Sequence, residues 1–95
     1  MPRQTQNDGP FDAQVLALSA LAETLNDERR ARRFLDLTGI GTDELRRRAD
    51  DPSLLAALIA FLEAHEPDLT AVAAELGVEP QQLVEARHQL EQAQP

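Results

Sequence analysis

Residues 1–10 are polar, with Gly9 and two prolines, and carry no period; the segment predicts a disordered tail. From Phe11 the pattern changes. Phe11, Val15, Leu18, Ala22 and Leu25 recur at steps of four and three, widened by Leu21, and mark one face of a helix. Asn26 is an N-cap candidate for a second helix. Asp27 and Glu28 would then stand in its first turn, where the helix dipole favours negative charge. Ala31, Phe34, Leu35 and Leu37 supply its inner face, and Gly39 suits the left-handed position that ends it. Thr42 is an N-cap candidate for a short third helix over residues 43–49, anchored by Leu45 and Ala49. Asp43 with Arg47, and Glu44 with Arg48, stand four apart with the acid first, the better order for a helix ion pair.

Asp51 as N-cap and Pro52 behind it open a fourth helix over residues 52–64. Leu54, Leu55, Leu58, Ile59, Phe61 and Leu62 cover more than one of its faces, which predicts a central, buried helix. Pro67 starts a fifth helix, with Leu69, Val72, Ala73 and Leu76 inward and Gly77 at its end. Glu79-Pro80 opens a sixth, whose inner face is Leu83, Val84, Ala86, the stem of Arg87 and Leu90; residues 92–95 fray. No strand pattern competes. The fold predicted is all-α: five or six short helices around the fourth, with a helix-turn-helix-like hairpin at the C-terminal end.

Composition narrows this further. The length allows one domain, placed at residues 11–91. There are 15 leucines against three Phe and no Tyr or Trp, so the core rests on Leu and Ala packing. Without cysteine there is no disulfide, thiolate metal site or Cys nucleophile. No apolar run approaches the ~20 residues a membrane span needs. The first ten residues lack the apolar stretch of a secretory signal, so a cytoplasmic location is expected.

The net charge of −8 is unevenly spread. Seven of nine arginines lie between Arg29 and Arg48, around the turn Thr38-Gly39-Ile40-Gly41-Thr42. Seven acids share residues 27–51 with them, whereas residues 52–95 hold seven acids and only Arg87. The arginines offer a candidate partner-binding patch: Arg29, Arg30, Arg33, Arg46, Arg47 and Arg48. The bland alternative is internal pairing with the neighbouring acids, in surface contacts each worth little. The glycines of the turn are explained by helix ends, since a phosphate loop would need a preceding strand and a lysine.

Residues 69–86 fit a helix-turn-helix pattern. A DNA reader built on it would use Gln81, Gln82, Arg87 and His88, because Gln pairs with adenine and Arg meets phosphate. Glu79 and Glu85 flank these positions, and the cations that supply non-specific affinity are missing, so nucleic acid is not favoured. His65-Glu66 lacks the second histidine of a metalloprotease helix, and no metal or cofactor site is expected. With two His and no Cys, no catalytic set can be assembled, and the chain is read as a non-enzyme.

Arg33-Phe34-Leu35-Asp36-Leu37-Thr38-Gly39, Glu44-Leu45-Arg46, Asp51-Pro52-Ser53-Leu54-Leu55, Phe61-Leu62-Glu63, Gly77, Pro80, Arg87 and Leu90 together resemble a bacterial family of uncharacterised proteins, DUF3572. The resemblance covers residues 11–91 and departs from the family pattern around Thr70-Ala71-Val72, where an aromatic is expected. It implies a small, cytoplasmic, single-domain helical protein and brings no activity or site residue with it. The function expected is non-catalytic interaction with an unidentified protein partner. Contact would come through the arginine-flanked turn, or through an apolar groove that the small core leaves open. The chain would be a monomer or homodimer, with nucleic-acid regulation as the alternative.

Overall fold

A computed structural model describes residues 12–92. Gln92, the first of the four residues expected to fray, still belongs to the last helix; the tail expected over residues 1–10 and the rest of the fraying segment lie outside the described residues. Six helices follow one another: α1 (Ala13–Asn26), α2 (Glu28–Thr38), α3 (Thr42–Arg47), α4 (Pro52–Glu63), α5 (Glu66–Leu76) and α6 (Pro80–Gln92). No strand occurs among the described residues, and the fold class is all-α as predicted.

The helix ends follow the local chemistry, with three corrections. Asp12 caps α1, its Oδ1 accepting from the amides of Gln14 and Val15. Asp27, rather than Asn26, caps α2: its extended backbone breaks α1 and its carboxylate accepts from Arg30 N at 3.0 Å. Thr42 is already helical, and Gly41 holds the cap position of α3 without a side-chain bond. Instead, the Thr38 hydroxyl ties the corner, donating to Phe34 O at 2.8 Å and accepting from Ile40 N at 3.3 Å. Asp51 caps α4 through Ser53 N and Oγ, with Pro52 behind it. His65 lies beyond the end of α4, at the extended cap position of α5, so its partner belongs to the following helix rather than to the α4 dipole. Gly39 and Gly77 both take φ of 72° to end α2 and α5, a left-handed conformation that costs other residues a steric penalty.

The hydrophobic core is centred on α4, where Leu54, Leu55, Leu58, Ile59, Phe61 and Leu62 are all buried. α1, α5 and α6 surround it. Leu69, Val72 and Ala73 come in from α5, and Leu83, Ala86 and Leu90 from α6. α1 turns the face marked by its spacing outward, except for Leu21. It buries Ala17, Ala20, Leu21 and Thr24, while Val15, Leu18 and Leu25 are 60, 42 and 38% exposed. Small residues let α1 approach α4 and α6 closely, and the buried Thr24 hydroxyl is satisfied by Ala20 O at 2.8 Å. Leu37, expected to anchor the second helix, is 73% exposed; Phe34 is its buried anchor.

The molecule measures 44 × 30 × 19 Å. Its thinnest dimension is about two helix diameters, ~10 Å each, so a helix in one layer is covered on one side only. The outer face of α1 is left open in this way.

Candidate functional site

α2 carries four arginines, and the winding of the helix sends them in different directions. Arg30 is buried, 8% exposed, four residues before the buried Phe34 and on the same face of α2. Its Nε lies 3.6 Å from Asp68 Oδ1, its Nη1 3.6 Å from Glu75 Oε1 and its Nη2 3.4 Å from Asp27 Oδ2. Arg33 Nη2 donates to the other Asp68 oxygen, which also lies 3.0 Å from His65 Nδ1. One carboxylate of α5 thus gathers two guanidinium groups of α2 and the imidazole that precedes α5. Burial pushes the Asp68 carboxyl up, but the hydrogen bonds and charges of Arg33 and His65 outweigh it and hold the group below its ordinary value. The Arg33 guanidinium also lies 5.4 Å from the centre of the Phe61 ring, which Phe34 meets edge-on at 5.3 Å.

The remaining arginines are placed as follows. Arg32 pairs with Glu28 at 3.7 Å on the exposed face of α2. Arg46 pairs with Asp43 at 3.6 Å, so Asp43 takes the arginine three residues on and not Arg47. Arg48 bridges Glu44 at 3.2 Å and Asp51 at 3.1 Å, and the hydrogen bonds it donates to both carboxylates raise its pKa further. Arg29 and Arg47 have no acidic partner within ion-pair distance among the described residues. Arg29, Arg32 and Arg33 line a cleft walled by α2 alone, whereas Arg46 stands at the rim of a different opening.

That second opening is an apolar groove of about 370 Å³ between α1, α2 and α3. Leu21 and Leu25 of α1, Ala31 and Leu35 of α2, and Leu45 and Ala49 around α3 wall it; Thr42 and Arg46 complete its rim. Leu25 belongs both to the groove and to the exposed line Val15, Leu18, Ala22, Leu25 along α1. Groove and line form one apolar surface. The sequence marks the line by its step of three and four, and the structure turns it outward. The step itself does not tell an inner face from an outer one.

The four positions of the nucleic-acid alternative lie on α6. Gln82 Oε1 accepts from Glu79 N at 2.9 Å and so serves the start of its own helix. Arg87 is held by Glu63 of α4 and Glu91 of α6, whose hydrogen bonds raise its pKa. Gln81 and His88 are exposed. No group of three or more His, Cys, Asp or Glu gathers as a metal site among the described residues, and no described helix is long and apolar enough to cross a membrane.

A family model described as "Protein of unknown function (DUF3572)" matches residues 11–93, nearly the whole chain. The chain belongs to that family. No curated protein and no solved structure matches it.

Proposed function

We propose that this DUF3572 protein is a non-catalytic docking module of the cytoplasm, which binds another polypeptide through the outer face of α1 and the groove beside it. One observation carries the reading. Val15, Leu18 and Leu25 stand exposed on a single line of a 14-residue helix and run into a groove walled by six apolar side chains. Scattered surface leucines need no explanation, but a contiguous apolar surface with a polar rim marks an interaction site. The arginine patch contributes less to this reading, because Arg30, Arg33 and Arg48 are engaged within the chain. Only Arg46 reaches the groove rim.

The nucleic-acid alternative draws less support. Its single cation, Arg87, is tied to two carboxylates, and Gln82 is tied to its own helix start. Phosphate affinity comes from cations free to replace counterions.

A photo-crosslinking amino acid placed at Leu18 or Leu25 in living cells tests the docking role, with Gln89 of α6 as the control position. Crosslinks to polypeptide from the two α1 positions, and not from the control, are expected. Equal yields at all three positions overturn the reading. Salt-sensitive retention of a DNA duplex would favour the alternative.

A further inference from the structure

We infer that the occupant of this face is a second copy of the same chain, docked with its α1 antiparallel to the first; this rests on the docking role proposed above.

The spacing is the first reason. Val15, Leu18, Ala22 and Leu25 alternate steps of three and four, the repeat of a helix-pairing seam and narrower than a core-facing stripe. The core-facing stripe of α1 is a separate set, Ala17, Ala20, Leu21 and Thr24. One helix thus carries two apolar faces, and the chain's own core uses only the one with small residues.

Size is the second reason. In an antiparallel pair with its two-fold axis midway along the line, Leu18 faces Ala22 of the second copy, and Val15 faces Leu25. A large side chain meets a small one twice, and the surface is complementary to itself, as a two-fold interface requires. A parallel pair would set Leu18 on Leu18 and Ala22 on Ala22, a bulge beside a gap. The antiparallel arrangement also places each helix N-terminus near the other's C-terminus, the favourable order for the two dipoles.

Charge is the third reason. The positions bordering the line are Asp12, Gln14, Ser19, Leu21 and Asn26. Asp12 is the one charge among them, and its carboxylate already caps α1. Gln14 is held by Asp50 O at 3.1 Å. Over residues 52–95, with seven acids and Arg87 as the one cation, two copies would set acid against acid. The seam lacks the charge that would select a strongly basic or acidic partner, and it is where like-charged copies meet with least repulsion.

The helix is 14 residues long, about 21 Å at ~1.5 Å per residue, so the interface falls below the ~800 Å² per partner of a standard complex. The pair is therefore weak and concentration-dependent. Sedimentation of the full chain from low micromolar to millimolar concentration tests it directly. The mass should move from one copy toward two, and it should do so at least as readily in high salt as in low. Leu18→Glu should weaken association about a hundredfold or more while leaving the helical circular dichroism unchanged.

Because the chain has no cysteine, Leu18→Cys and Ala22→Cys chains can be mixed and oxidised. The mixed disulfide should form faster than either like pair. A monomer at millimolar concentration, a dimer indifferent to Leu18→Glu, or faster Leu18→Cys self-pairing overturns the proposal. If the chain stays monomeric while position 18 crosslinks to a different polypeptide in cells, the second copy is excluded and the docking role stands. If it neither pairs nor crosslinks, both fail.

Discussion

The bundle of α1, α4, α5 and α6 and the arm of α2 and α3 are held by different forces. In the bundle, aliphatic side chains interdigitate around the buried faces of α4, whose Ser53, Ala57 and Ala60 stay exposed, and the one polar group buried there, the Thr24 hydroxyl, is bonded to its own helix. In the arm, α2 buries only Phe34 and Arg30, and α3 buries only Leu45. The arm is fastened at points: the Phe34–Phe61 edge contact, the Asp68 clamp on Arg30 and Arg33, and the Arg48 bridge between Glu44 and Asp51. Apolar packing is spread over many contacts and fails as a whole. Point fastenings are directional and fail one at a time. The groove of the candidate site lies along the boundary between these regions, with α1 as one wall and the arm as the other.

Removing bulk from the bundle should have the largest effect. Leu58→Ala, at a fully buried position of α4, should cost about 2–5 kcal/mol in urea unfolding, a large share of the stability of so small a chain. Asp68→Ala comes next. It leaves buried Arg30 with only Asp27 and Glu75, and should cost about 2–3 kcal/mol. Its signature should be local: hydrogen exchange speeds up in α2 and α3 while α4 amides keep their protection. Uniform acceleration across all six helices would show instead that arm and bundle form one cooperative unit.

Acid should separate the regions in the same way. The folded carboxyl of Asp68 is held below its ordinary value, so its contribution is present at neutral pH and is lost as pH falls below about 4, through the depressed folded value. The caps Asp27 and Asp51 are depressed too, the first chiefly by the Arg30 amide and the second by the Ser53 amide, and they lose strength in the same window. Arm amides should lose protection as pH falls below about 4, before those in the middle of α4, and Asp68→Asn should flatten that dependence. Gly39→Ala and Gly77→Ala, one in each region, should each cost about 1 kcal/mol. A Cβ would meet no atom within 4 Å at either site, so the cost is the left-handed backbone alone. The smallest effect is expected from Leu37→Ser, within about 0.5 kcal/mol by thermal melting, because Leu37 touches little.

The bundle was largely legible in the sequence and the arm much less so. α4 declares itself by apolar residues on nearly every face, and the prolines and glycines at its neighbours' ends fix where they begin and stop. In α1 periodicity weighs Val15, Leu18 and Leu25 above Ala17 and Ala20, and so marks an apolar face without saying that the other one is buried. In close helix packing the small residues go inside. Counting acids near the arginines correctly anticipates internal pairing at Arg32, Arg46 and Arg48. It misses Asp68, which stands 35 residues beyond Arg33 and meets it only once α5 is in place. Long-range partners of this kind leave no local pattern. The small core implies an open apolar groove, but no local pattern in the sequence names its walls.

The edge contact between Phe34 and Phe61 has a practical side. The chain has no Trp or Tyr, and its remaining phenylalanine, Phe11, lies outside the described residues. Among the described residues, near-ultraviolet absorption therefore comes from one ring on the arm and one on the bundle, set at 64° to each other. The fine structure of the phenylalanine band is then an optical gauge built into the protein. It reads the seating of the arm without a label, and fluorine on the same two rings would follow that motion inside a cell.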